Sequence, residues 1–144
     1  MALQEADRLV IFGITGDLAK KMTLPSLYRL ERRGMLNVPV ITVAFDNWTH
    51  EQLINHARES IESVEGKIDE TVFTRLAERL SYVHGDFNDP KLYGKLKKAL
   101  KGSHAATFYL EVPPSLFVIV AQHLYNADLL HGDARVVFEK PFGT

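Results

Sequence analysis

Arg8-Leu-Val-Ile-Phe-Gly-Ile-Thr-Gly-Asp-Leu-Ala-Lys20 reads as an apolar strand that stops at Gly13, turns through Gly16 and restarts as a helix. Leu9 to Phe12 are four consecutive apolar residues, β-branched at Val10 and Ile11, which suits a strand buried on both faces of a parallel sheet. The spacing Gly13-x-x-Gly16-x-x-Ala19 is a relaxed form of the glycine fingerprint of dinucleotide sites. In that fingerprint the first small residue permits a tight turn, the second lets backbone N–H groups approach a pyrophosphate, and the third packs helix on strand. A helix starting near Asp17 would aim its unpaired N–H groups and positive dipole end at that phosphate. A glycine turn that binds nothing is the alternative reading of the same residues.

At 144 residues the chain suits one domain, residues 1–144, with a core of its own. Apolar residues at 46% and charged residues at 24% are close to globular averages and disfavour disorder. A formal charge of −1 offers no basic stripe for nucleic acid or an anionic membrane, and Lys95, Lys97, Lys98 and Lys101 are expected on the solvated face of one helix. With no cysteine there is no disulfide framework, thiol nucleophile or cysteine metal site, which fits a cytoplasmic location. The acidic start Met1-Ala-Leu-Gln-Glu-Ala-Asp7 lacks an apolar leader core, and no run approaches membrane-spanning length.

Beyond the first strand, Leu18, Met22, Leu27 and Leu30 recur on one helical face up to a C-terminal Gly34, with a break expected near Thr23 because Pro25 cannot donate to the carbonyl four residues back. Val38 to Phe45 is the second strand. Thr49-x-x-Gln52 is a capping box for a helix with the stripe Leu53, Ile54, Ala57 and Ile61. Asp69 caps a further helix that buries Val72, Phe73, Leu76, Ala77 and Leu80, followed by a short strand at Tyr82 to His84. Asn88-Asp-Pro90 opens a helix carrying Leu92, Leu96 and Leu100, and Ala105 to Val112 is the fourth strand. Pro113-Pro114 breaks that strand and opens a helix through Phe117, Val120, Ala121 and Leu124, before a fifth strand from Arg135 to Glu139. Strands alternating with helices imply an α/β fold, a mainly parallel doubly wound sheet of Rossmann type.

Ligands of such sheets lie outside the carboxyl ends of the strands, which selects Gly13 to Asp17, Asp46 and Asn47, Asp86, Glu111 to Pro114, and Glu139 to Pro141. Asp46 stands where a carboxylate accepts both ribose hydroxyls of an adenosine, or is a solvated loop residue ahead of the helix at Thr49. Asp17 caps its helix or orients the loop. Lys140 is placed for an anionic substrate or a cofactor carbonyl. His50, His56, His84, His104, His123 and His131 have no metal-ligand spacing and are read as structural or exposed, with His84 alone a candidate for cofactor contact.

Three motifs in order, Gly13-x-x-Gly16-Asp-Leu-Ala-Lys20, Leu110-Glu-Val-Pro-Pro114 and Glu139-Lys-Pro-Phe-Gly143, resemble the N-terminal part of the glucose-6-phosphate dehydrogenase family. The resemblance spans essentially all 144 residues but about the first third of such an enzyme. It implies that Gly13, Ile14, Thr15, Gly16, Asp17 and Leu18 hold the pyrophosphate of NADP. It further implies that Phe45 and Asp46 meet the adenosine end, and that Pro113, Pro114, Phe117 and Lys140 line the nicotinamide, with Lys140 also reaching the substrate and Pro141 in cis. Met22 replaces a basic residue of the family, Phe117 an aromatic hydroxyl, and Phe45 the arginine that grips the 2′-phosphate, so NAD becomes a second candidate cofactor. The family's Arg-Ile-Asp-His-Tyr-Leu-Gly-Lys segment and its general-base histidine would lie beyond Thr144. The resemblance therefore implies a cofactor domain without catalytic residues of its own. Its parent would be a cytoplasmic homo-oligomer oxidising glucose 6-phosphate in the pentose phosphate pathway. A non-catalytic dinucleotide-sensing module is the rival expectation.

Overall fold

A computed structural model describes residues 6–138. Five parallel strands, β1 (Arg8–Phe12), β2 (Val40–Ala44), β3 (Leu80–His84), β4 (Ala106–Leu110) and β5 (Arg135–Phe138), lie in the order β3-β2-β1-β4-β5. The chain winds outward from β1 in both directions, so the β1/β4 boundary is a topological switch point. Five α-helices fill the crossovers: α1 (Leu24–Arg32), α2 (His50–Glu65), α3 (Glu70–Arg79), α4 (Pro90–Ala99) and α5 (Phe117–Asn126). The alternation of side chains along β1 divides the core. Leu9 and Ile11 pack with α1, α2 and α3 on one face, and Val10 and Phe12 with α4 and α5 on the other.

The expected strands are present but trimmed. Pro39 has no N–H for the ladder and β2 begins after it at Val40, while Phe45 lies beyond its end. β4 runs from Ala106 to Leu110 rather than Ala105 to Val112, and β3 starts two residues earlier, at Leu80. Glu139 falls outside the described residues. The helix starts carry the anticipated chemistry: the Thr49 hydroxyl accepts the Gln52 N–H at 3.1 Å, the Gln52 Oε1 accepts the Thr49 N–H at 2.8 Å, and Asp69 and Asp89 cap α3 and α4. The Pro113-Pro114 turn first makes a short 3₁₀ segment, Pro114–Leu116, before α5.

The helix after the glycine loop departs most from expectation. It does not break near Thr23. A π-helical turn over Ala19–Thr23 carries it into α1, with the Leu24 N–H donating to the Ala19 carbonyl five residues back. The wider turn accommodates Pro25, and Thr23 and Leu24 keep right-handed helical dihedrals. The inner face differs from expectation within the turn, while Leu27 beyond it is buried as expected. Thr23 turns inward at 4% exposure and Met22, expected on the inner face, is 44% exposed.

At the amino edge of the sheet, Asp7 ties the start of β1 to the approach to β4. Its carboxylate accepts the Ser103 hydroxyl at 2.6 Å and the His104 and Ala105 N–H groups at 2.8 and 3.1 Å. Burial alone would push this carboxyl up, but those bonds, with His104 beside it, hold it below the ordinary value of 3.8. A depressed carboxyl stabilises the fold in full above the unfolded-state value and loses that contribution as pH falls through the native-state value. Asp7→Ala is expected to cost about 1–3 kcal/mol at neutral pH, and the difference in melting temperature from wild type should shrink below about pH 4. Thermal melts across that range check both statements.

Candidate dinucleotide site

The carboxyl ends of β1, β2 and β4 are level, because Phe12 pairs with Val43 on one side and Leu110 on the other. The glycine loop leaves β1 at this edge. The Gly13 N–H donates to the Val43 carbonyl at 2.8 Å, and the Glu111 N–H to the Phe12 carbonyl at 2.9 Å. Gly13 adopts φ +93°, and a Cβ there would lie 2.2 Å from the Glu111 backbone oxygen. Its role is thus close contact with the end of β4 as well as a tight turn.

Gly16 is exposed, and a Cβ there would approach only the Gly13 oxygen, at 3.3 Å. Its carbonyl accepts the Lys20 N–H at 3.1 Å, the first four-residue helical bond of the segment. Asp17, Leu18 and Ala19 therefore occupy the first turn, where N–H groups have no intrahelical partner and the dipole is positive. Asp17 is exposed inside that turn rather than ahead of it, so the capping position anticipated for it is taken by Gly16. Ala19 is fully buried, as helix-on-strand packing requires.

Asp46 meets this loop from β2. Its Oδ1 accepts the Thr15 hydroxyl at 2.8 Å, and its backbone oxygen accepts the Tyr82 hydroxyl and, at 2.9 Å, the Trp48 N–H. Burial, with Asp46 adding to it, pushes the Tyr82 phenol up to about 12, so it remains a neutral donor near pH 7. Trp48 stacks on Tyr82 with ring centres 6.1 Å apart. The carboxylate is held, not merely solvated, while Phe45 beside it is 66% exposed.

Across the switch point, the π turn places the Thr23 hydroxyl as donor to Glu111 Oε2, linking the helix after the glycine loop to the end of β4. Pro113 and Pro114 are exposed at the same edge, and Phe117 packs on Phe138 with ring centres 4.8 Å apart. His84 ends β3, two strands from β1, and its carbonyl accepts from Lys95. Lys140 and Pro141 lie outside the described residues. No cluster of His, Asp or Glu among the described residues could hold a metal ion, and no helix among them is long and apolar enough to cross a membrane. At the opposite edge, Lys97, Lys98, Lys101 and His131 rim an open depression of about 400 Å³. These lysines stand at the carboxyl end of α4, where cations complement the helix dipole.

The structure thus brings together Gly13 to Leu18, Phe45, Asp46, Pro113 and Pro114 at one edge. Sequence reading missed the Thr15–Asp46 and Thr23–Glu111 bonds and the bonds from Trp48 and Tyr82 to the Asp46 backbone oxygen.

A family profile described as "Glucose-6-phosphate dehydrogenase, NAD binding domain" matches residues 10–144. The chain belongs to this family. It is 52% identical over 138 residues to glucose-6-phosphate 1-dehydrogenase 1 of Mycobacterium tuberculosis, covering 96% of this chain and 29% of that protein. To glucose-6-phosphate 1-dehydrogenase of Dickeya dadantii it is 36% identical, covering 97% and 29%. The crystal structure of glucose-6-phosphate 1-dehydrogenase from Mycobacterium avium superposes with a TM-score of 0.90 at 53% identity, covering 96% of this chain and 30% of that one. A glucose-6-phosphate dehydrogenase in complex with glucose-6-phosphate gives 0.81 at 32% identity, covering 99% and 32%. The chain therefore spans about three-tenths of the length of these dehydrogenases. The dehydrogenase family's NAD binding domain is the part matched, in agreement with the parallel sheet and its glycine loop.

Proposed function

We propose that residues 1–144 form the dinucleotide-binding part of a glucose-6-phosphate dehydrogenase. Gly13 to Leu18 receive the pyrophosphate, Phe45 and Asp46 the adenosine end, and Pro113, Pro114, Phe117 and Lys140 the nicotinamide end, with Lys140 also meeting the sugar phosphate. One juxtaposition carries the reading: a helix N-terminus behind an accessible Gly16, with a carboxylate held beside it by Thr15 at the end of β2. The residues present fit the group. First-turn N–H groups and the helix dipole neutralise phosphate charge, and Asp46 accepts hydrogen bonds from ribose hydroxyls.

The bound dinucleotide supplies the hydride acceptor that turns glucose 6-phosphate into its lactone in the parent enzyme, the first step of the oxidative pentose phosphate pathway. The residues described here hold and orient it. The 144-residue chain alone binds without turnover, and the parent is a cytoplasmic homo-oligomer.

NADP is the family's cofactor, yet the β2 end opposes its 2′-phosphate. Recognition of that phosphate calls for a bidentate arginine, and Phe45 stands there. Thr15 fixes the Asp46 carboxylate alongside, where it repels a phosphate and favours free hydroxyls by about 1–3 kcal/mol. We therefore infer that the site accepts NAD, and that Phe45→Arg with Asp46→Ser shifts preference toward NADP by about ten-fold or more. Calorimetric titration of both dinucleotides into both proteins tests this. A wild type strongly selective for NADP and unmoved by the double change would remove Phe45 and Asp46 from the site.

A further inference from the structure

We propose that Tyr82 is a positioning residue for dinucleotide choice: from β3, its phenol fixes the backbone of Asp46 and, through it, the carboxylate that meets the adenosine ribose. The inference rests on the reading of Asp46 as the acceptor at the adenosine end.

Asp46 is exposed and lies two residues past the end of β2, where the sheet ladder no longer holds the chain. Three hydrogen bonds hold it instead. Thr15 Oγ1 donates to Oδ1 at 2.8 Å, the Trp48 N–H closes a three-residue turn on the Asp46 backbone oxygen at 2.9 Å, and the Tyr82 hydroxyl donates to that same oxygen. The first two donors belong to loops, one the glycine loop and the other the Asp46 loop itself. Of the three, Tyr82 alone donates from the sheet, where it is paired with Thr42 of β2. Two donors on one carbonyl oxygen fix the plane of the peptide between Asp46 and Asn47, and with it the direction in which the Asp46 side chain leaves the backbone.

The ring and the hydroxyl of Tyr82 have separable roles. Trp48 stacks on the ring with centres 6.1 Å apart, and both residues pack against the core on the α1, α2 and α3 face. A phenylalanine would keep that packing. The hydroxyl makes its one hydrogen bond among the described residues to Asp46, so what it adds is the placement of a carboxylate. Thr15 occupies Oδ1, and Oδ2 takes no hydrogen bond among the described residues, which leaves Oδ2 for a ribose hydroxyl. A carboxylate already held accepts that hydroxyl without a further ordering cost, and it stays in place to repel a 2′-phosphate. Once released toward solvent it does both less well.

Calorimetric titration of NAD and NADP into wild type, Tyr82→Phe, Asp46→Ala and the double variant tests the proposal. Tyr82→Phe should melt cooperatively, bind NAD about five-fold more weakly and bind NADP no more weakly than wild type, so the NAD-to-NADP affinity ratio falls about five-fold or more. In the Asp46→Ala background the same change should leave the ratio within about two-fold. A hydroxyl serving only the fold would weaken both dinucleotides alike, with or without Asp46. An unchanged ratio in Tyr82→Phe, equal losses for both dinucleotides, a fall in the ratio that persists in the Asp46→Ala background, or loss of the cooperative melt in Tyr82→Phe would overturn the inference alone. An Asp46→Ala chain that keeps the wild-type ratio, or a wild type that binds neither dinucleotide, would overturn the reading of Asp46 and the inference with it.

Discussion

Gly13→Ala is expected to destabilise the chain by about 3 kcal/mol or more, lowering the melting temperature by roughly 10 °C. Two costs add. An L side chain at φ +93° carries the left-handed penalty of about 1–2 kcal/mol. The new Cβ must also displace the Glu111 carbonyl, whose oxygen lies 2.2 Å and carbon 2.9 Å from its position. These are backbone atoms at the end of a central strand, so β4 must move relative to β1 to relieve the contact, and packing on both faces of the sheet depends on that register. Gly16→Ala is the internal control. Its Cβ would meet only the Gly13 oxygen, at 3.3 Å, with no positive φ, so its cost should stay within about 1 kcal/mol. Equal melting temperatures for Gly13→Ala and wild type would show that the β1/β4 contact is not as close as described.

Gly16→Val has the opposite signature. It should leave a cooperative melt and weaken dinucleotide binding by at least about a hundred-fold, or roughly 2.7 kcal/mol. A branched side chain at an exposed position beside the first helical turn fills the space where phosphate oxygens reach the N–H groups of Asp17 and Leu18. Stability should be little affected because the position is exposed and a Cβ there meets only the Gly13 oxygen, at 3.3 Å. Paired melts and calorimetric titrations with NAD separate the two glycines, one serving the fold and the other the ligand. Undiminished affinity in Gly16→Val would place the pyrophosphate elsewhere.

The features legible in the sequence are those set by neighbours along the chain. The capping box at Thr49 and Gln52, the Asp69 cap and the buried run Leu9 to Phe12 each depend on residues a few positions apart, and all are realised. The three motifs likewise identified the family to which the chain belongs. Features set across the fold were not legible. The requirement for glycine at 13 comes from Glu111, just past the end of β4, and the π turn is accompanied by a Thr23–Glu111 bond formed only once β4 lies beside β1. Met22 lies within that turn and faces solvent, whereas Leu27, beyond it, keeps the inner face expected of it. Asp46 was placed at the right strand end by topology alone, but its tether to Thr15 needed the two loops side by side.

The central claim is that a dinucleotide sits on the Gly13 to Leu18 loop with its adenosine toward Asp46. Backbone amide NMR of the 144-residue chain titrated with NAD tests it most directly. The account predicts saturable shifts concentrated at Thr15, Gly16, Asp17, Leu18 and Asp46, with the amides rimming the depression at Lys97, Lys98 and Lys101 unmoved. Shifts confined to that opposite edge, or an unchanged spectrum at saturating NAD and NADP, would contradict it.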